Sequence, residues 1–459
     1  MIHRYGAAIS WMVALVVTIP TLAGAETISL SAASHSLLQQ AIDAAAPGDT
    51  LVLEPGEFRG PIIIDRSITL RGEEGASIVG NDTGSVIRIK AADVVVTGLT
   101  ISGSGSDLDT QDSGIFVEET AKRAVIERNR IVGNLHGVWL FGADDSCVCD
   151  NIITGTASLH MSLTGNGVSL WNSPGAKVNG NDISLGRDGI ATNASKRNVF
   201  SGNRFRDLRF AIHYMYTHDS EISDNVSIGN SVGYAIMFSN KLNIRNNLSD
   251  GDRDHGLLLN YANYSVITGN KVLGHLQPEE RWTAGGTRST EHGVPASDLE
   301  DAAKLSDGQR LGPEKCVFIY NANRNRFMDN HFENCAIGIH FTAGSEGNSM
   351  SGNAFINNRN QVKYVGTRYL DWSHEGRGNY WSDNPGFDLN GDGIADNPYR
   401  PNDLIDQVLW TAPQAKLLMT SPAVQVIRWA QAQFPALLPG GVVDNHPLMT
   451  PTSVERSTQ

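Results

Sequence analysis

Apolar residues recur along this chain in a fixed relation to asparagine. The phrase apolar-x-x-Asn joins Ile126 to Asn129, Val148 to Asn151, Val178 to Asn181, Phe200 to Asn203, Ile222 to Asn225, Ile244 to Asn247 and Ile267 to Asn270. It returns at Phe327 with Asn330 and at Met350 with Asn353. A second phrase, small-apolar-x-apolar, keeps step with it: Gly137-Val138-Trp139-Leu140, Gly189-Ile190-Ala191-Thr192, Ala211-Ile212-His213-Tyr214 and Gly338-Ile339-His340-Phe341. From Asn129 the steps between anchors are 22, 30, 22, 22, 22, 23, 60 and 23 residues. A fixed period of roughly this size, with two short alternating strands in each repeat, predicts a solenoid. The expected fold is all-β: a right-handed parallel β-helix of about twelve coils with short helical caps, about 55–60 Å long at about 4.8 Å per rung. A leucine-rich repeat shares the period but needs an L-x-x-L-x-L frame, whereas here Ile, Val, Phe and Ala share the core positions.

The two long steps mark insertions. The step of 30 adds about eight residues, placed around His160-Met161-Ser162-Leu163, and the step of 60 adds about 37, placed at 277–313. The second insertion is polar, with Glu279, Glu280, Arg281, Glu291 and Asp298. Insertions in repeat proteins gather on one face. Residues 35–46 read as a short amphipathic helix that covers the open N-terminal end of the coils. Regularity ends near Tyr369, so the β-helix domain is expected over 26–368. Residues 369–459 form an irregular acidic, Trp-rich segment with an apolar helical stretch at 423–430, expected to cap the far end or to dock a membrane partner.

Composition narrows the class. The 47 glycines and the frequent asparagines suit many tight corners. His3 and Arg4 precede an apolar run from Ala7 to Leu22, and Ala23-Gly24-Ala25 offers a small-x-small cleavage site. Residues 1–25 therefore read as a cleaved signal peptide that sends the chain to the periplasm. The formal net charge is −13, or −14 once Arg4 leaves, with no Lys/Arg cluster, and this excludes nucleic acid as a partner. Four cysteines are too few for a disulfide framework at this length. Cys316 and Cys335, 19 residues apart, are placed either to bridge adjacent rungs or to remain free thiols.

Two constellations carry candidate chemistry. The residue between the two inward positions of the second phrase faces outward, and reading it down the coils gives Phe116, Trp139, Ser169, Ala191, His213, Met237, Leu258, Phe318 and His340. Outward Trp, Phe, Met and His mark a surface that another body covers. His213 and Met215 share one face, and this alignment sets Met237 beside His213 on the next rung and diagonal to Met215. One imidazole and two thioethers suit Cu(I), bound transiently; the same side chains also suit packing under a loop or partner. His218 follows in the adjoining turn. Cys147 and Cys149 share a face of their strand without further soft ligands nearby.

The second constellation is the loop Asp388, Asn390, Asp392, Ile394 and Asp396, with Gly393 at the sharp turn. Oxygen ligands at these alternating positions form a Ca²⁺-loop pattern, expected here in a structural role. Tyr399 stands where the bidentate Glu would be, so Asp383 or Asp403 would have to complete the shell. A polysaccharide lyase, epimerase or hydrolase is the alternative function, because β-helix enzymes of that kind cluster carboxylates with Arg or Lys on one outward face. Here the outward column reads as largely apolar, and no Asp-Pro-His-Asp phrase occurs.

The signal peptide, the Gly/Asn coils, Ala211-Ile-His-Tyr-Met-Tyr-Thr217, Gly378-Asn-Tyr-Trp-Ser382, Asp388 through Tyr399 and the tail Asp444-Asn-His-Pro-Leu448 together resemble the NosD family. That resemblance covers the mature chain. It implies a non-enzymatic periplasmic accessory protein for nitrous-oxide reductase, associated with an inner-membrane ABC transporter made of a permease and a cytoplasmic ATPase. It also implies a copper-chaperone lipoprotein and the reductase itself as partners, in assembly of a copper–sulfide cluster. The chain has no Walker A phrase, so the ATPase belongs to another subunit.

Overall fold

Each coil contributes one short strand to each of three parallel sheets. In the computed structural model the chain is described from residue 25 to residue 452, apart from 157–160, 279–280, 282–308, 343, 367, 412, 419–420 and 434–439. The proposed leader lies almost wholly outside the described residues, as do His160 and most of the long insertion. The first sheet has 13 strands, from Thr27–Leu30 to Ser349–Ser351. The second has 12, from Ile62–Ile64 to Asn360–Val365, and the third has 13, from Gly56–Arg59 to Tyr380–Trp381. The solenoid has about 14 turns rather than about twelve. The irregular early segments are complete rungs: Thr50–Leu53 pairs in register with Thr69–Gly72, and Thr69–Arg71 with Val95–Thr97.

Strand alternation sends one residue of each short strand into a shared core. Val178, Phe200, Ile222 and Ile244 pair directly, rung on rung, and all are fully buried. The three-residue strands between corners leave little room for anything but an x-apolar-x pattern, which is why the core is read so easily from sequence.

The asparagine anchors turn the first corner of each coil. The residue before each one takes a left-handed conformation: Asp150 at φ 57°, Gly180 at 68°, Asp224 at 57° and Asn246 at 55°. Gly, Asn and Asp reach that region most cheaply, which explains the recurring Gly-Asn and Asp-Asn pairs. The anchor side chain then runs inward. Asn225 Oδ1 accepts both the backbone N–H and the Nδ2 of Asn203, at 3.0 and 2.9 Å, while Asn225 Nδ2 donates to the Phe200 carbonyl at 2.9 Å. The pattern repeats from Asn129 to Asn379. Each unpaired buried group would cost about 1–3 kcal/mol, so the ladder is what lets polar corners enter the core. The backbone N–H of each anchor donates to the anchor of the next coil, toward the C-terminal end. There Asp444 receives the last of them, from Asn379 N at 2.7 Å, together with Trp381 Nε1 at 2.8 Å.

Both ends of the core are covered. A 3₁₀ turn, Ala32–Leu37, leads into helix α1 (Leu38–Ala44), which buries Leu38 and Ile42. Gln39 lies across the edge of the second sheet: its Oε1 accepts Ile63 N–H at 2.8 Å and its Nε2 donates to Ile63 O at 3.1 Å, in place of a further strand. At the far end Trp372 and Trp381 are buried, with Trp381 stacked on Phe355 at 4.3 Å. Helices α2 (Leu404–Thr411) and α3 (Pro422–Gln433) follow. Among the described residues no helix is long and apolar enough to cross a membrane.

The long insertion leaves and returns as an antiparallel hairpin, His275–Pro278 with Gln309–Gly312. The ladder resumes across it, with Asn270 N–H donating to Asn330 Oδ1 at 2.9 Å. Cys316 and Cys335 form a disulfide, both fully buried, that ties this returning coil together. Closing its 19-residue separation restricts the unfolded chain by on the order of 3 kcal/mol.

A soft-ligand face on the second sheet

The outer face of the second sheet carries His213, Met215 and Met237, and the register between them differs from the sequence reading. His213 pairs with Ala235, and Met215 pairs with Met237. The outward column at this level is therefore Ala191, His213, Ala235 and Leu258, with Met237 two residues further along the strand. The slip of two residues has a physical cause. Tyr234 points inward, and its hydroxyl donates within the core toward the Asn225 and Leu248 carbonyls, each at 2.9 Å. An inward tyrosine breaks the plain apolar pattern that aligned the neighbouring coils.

Met215 and Met237 thus stand directly opposite on adjacent rungs, both partly exposed, with His213 on the same face of the Met215 strand. His213 Nδ1 lies 3.0 Å from Asp188 Oδ2. Asp188 also accepts Arg209 Nε at 2.8 Å and Nη2 at 2.6 Å. Burial alone would raise the Asp188 carboxyl, but the hydrogen bonds from His213 and Arg209 and the guanidinium charge hold it below its usual range. It is a carboxylate and can only accept, so His213 Nδ1 is the donor of this contact and Nε2 is the ring nitrogen left outside it. That is how a carboxylate orients an imidazole for a metal. Two thioethers and this Nε2 form a soft, sparse donor set suited to Cu(I). The neighbouring corners add a stack in which Phe238 lies between Tyr216 at 5.0 Å and Tyr261 at 5.2 Å.

Sequence reasoning missed Asp188 and Arg209. Their separation of 21 residues is close to one coil, so the period itself was the signal that places an acid beside a guanidinium on the next rung. The face is also less apolar than the outward column implied, because a further row carries His136, Asp188, His255 and Lys315. His136 Nδ1 accepts Asn166 N–H at 3.0 Å, and burial lowers the imidazole to about 4. His218 is committed elsewhere, its Nδ1 accepting Asn240 N–H at 3.1 Å. Among the described residues no three His, Cys, Asp or Glu side chains gather as a metal site.

The acidic loop closes on its own backbone. Asp388 Oδ1 accepts Gly391 N–H at 2.6 Å and Oδ2 accepts Gly393 N–H at 2.8 Å; the N–H donors of this loop hold the carboxyl below its usual range. Asp392 Oδ1 accepts Ile394 N–H and Asp396 Oδ2 accepts Leu389 N–H, each at 2.8 Å. Asn390 donates to Asp392 Oδ2 at 3.0 Å. The two acids expected to complete a calcium shell have partners outside the loop. Asp383 accepts Tyr399 Oη at 2.7 Å and Gln361 Nε2 at 3.0 Å, and Asp403 accepts Asp406 N–H at 2.8 Å at the start of α2.

Comparison with known proteins fixes the family. The family described as "Periplasmic copper-binding protein (NosD)" matches residues 149–386. A protein of Stutzerimonas stutzeri named "Probable ABC transporter binding protein NosD" is 41% identical over 398 residues, covering 86% of each chain. One of the same name from Pseudomonas aeruginosa is 40% identical over 404 residues, covering 88% of this chain and 89% of that one. Among solved structures, the N-terminal fragment of bacteriophage Phi29 gene product 12 superposes with a TM-score of 0.55 at 13% identity, over 78% of this chain and 71% of that one, and this likeness concerns the fold alone. With two relatives above 40% or at it across most of their length, the chain belongs to the NosD family.

Proposed function

We propose that this chain is a non-catalytic periplasmic accessory protein that handles Cu(I) during maturation of the copper–sulfide centre of nitrous-oxide reductase. In this reading it works beside an ABC transporter whose permease and ATPase are separate chains, and it receives copper from a chaperone lipoprotein. Family membership and the relatives' names support the copper and transporter parts. The observation that carries the site is the Met215–Met237 pair beside an imidazole whose Nδ1 is held by a carboxylate. A partly exposed site of three soft ligands suits transfer, because copper must leave as readily as it arrives. Helix α3 supports docking at the membrane side: Val424 is buried, but Val426 is 61% exposed and Trp429 63% exposed, so part of its apolar surface faces solvent. The acidic loop is assigned a structural Ca²⁺, its ligands being Asp388, Asn390, Asp392, Asp396 and the Ile394 carbonyl.

Complementation tests the assignment. In a host lacking this chain, the His213→Ala/Met215→Ala/Met237→Ala variant is expected to accumulate normally while the reductase matures without its full copper. A reductase with full copper and activity in that strain would remove the site from the pathway.

A further inference from the structure

Cys147 and Cys149 lie in one three-residue strand of the first sheet and form a disulfide with each other. Both are partly exposed on the outer face, with Val148 between them fully buried. Two observations separate this bond from the buried Cys316–Cys335 bridge. It joins residues only two apart, and the stabilisation a cross-link gives through the unfolded chain grows with the size of the loop it closes, so this one staples almost nothing. Nor does the rung depend on it. Val125–Glu127 on one side and Lys177–Asn179 on the other hold the strand in a complete parallel ladder, and Cys147 N–H donates to Ala124 O at 2.8 Å. An accessible bond that the fold does not need for stability is free to open and close. The register also sets Lys177 beside Cys147, a cation of the kind that favours a thiolate, while Glu127 lies beside Cys149 and is engaged by Arg128.

We propose that Cys147 and Cys149 form a reducible pair whose dithiol state binds one Cu(I) between two thiolates. Opening requires a dithiol reductant. The Cys147–Cys149 S–S bond breaks, two electrons come from the reductant, which leaves as its own disulfide, and its two protons pass to the cysteine sulfurs. Cu(I) then displaces those two protons without changing oxidation state, and thiolate sulfur is the ligand type that selects it. The oxidised pair offers no thiolate, so copper binding here is switched by redox state. The argument rests on thiol chemistry and on the first sheet, apart from the His213, Met215 and Met237 face on the second.

The test uses the full chain in its native state, without oxygen. After treatment with limiting dithiothreitol and alkylation, mass mapping is expected to find label on Cys147 and Cys149 while Cys316 and Cys335 stay bridged. Against a chromogenic Cu(I) chelator the reduced protein is then expected to withdraw one equivalent more copper than the oxidised protein. Cys147→Ser/Cys149→Ser should lose that difference with an unchanged melting temperature. The His213→Ala/Met215→Ala/Met237→Ala variant should keep it, which separates this pair from the proposed transfer face. Failure to label the pair in the folded protein, or equal copper withdrawal by reduced and oxidised protein, overturns the proposal.

Discussion

Asp252 stands at the corner that Asn230 fills one coil earlier. Its carboxyl accepts Ser227 Oγ at 2.8 Å, Ser249 Oγ at 2.6 Å and Asn230 N–H at 2.8 Å, in a fully buried position. Burial pushes it up to about 7 despite these donors. The folded chain therefore holds a proton that the unfolded chain, titrating near the ordinary carboxyl value of 3.8, has already released. Stability from this group is lost as pH rises from about 4 to about 7. His136, lowered to about 4, works in the opposite sense and costs stability as pH falls below 6.5. Asp252→Asn supplies the amide that the other corners use, so the variant is expected to be more stable than the parent by about 1–3 kcal/mol above pH 7. Thermal melts from pH 5 to pH 9 check this: the gap between variant and parent should widen up to about pH 7 and then level off. A gap that stays constant with pH would show that the carboxyl does not titrate there.

At the scale of elements, the coils were legible wherever a side chain's polarity matched its side of the strand. Asn129 through Asn353 gave the ladder directly, because a left-handed corner followed by a buried amide admits few other residues. Tyr234 is polar in sequence but inward in the fold, and there the expected register between His213 and Met237 slipped by two. Asp188 and Arg209 went unread because ion pairs across rungs leave no local pattern. The acidic loop 388–396 shows the reverse: its spacing is plain in sequence, yet its carboxylates satisfy backbone N–H groups of the same loop. A bound Ca²⁺ would compete for some of those oxygens while leaving the turn intact. Removing calcium with a chelator is expected to lower the melting temperature of the parent by several degrees, and Asp388→Ala/Asp392→Ala should abolish that response. An identical melt with and without calcium would count against a metal in this loop.

At the scale of the molecule, the solenoid and the segment that follows it present separate surfaces. The second sheet offers thioethers and an oriented imidazole, and the C-terminal end offers an exposed apolar helix. An acidic chain with these two surfaces suits a scaffold that carries a soft cation beside a membrane transporter. The fold alone does not carry that conclusion, since a bacteriophage fragment shares it at 13% identity. The chemistry of one face decides between scaffold and mere rod. The most direct measurement is an anaerobic Cu(I) titration of the oxidised protein against a chelator of known affinity. We expect one equivalent to be withdrawn by the parent and at least ten-fold weaker binding by His213→Ala/Met215→Ala/Met237→Ala, on the order of 1.4 kcal/mol or more. Equal affinity in parent and variant would contradict the central assignment.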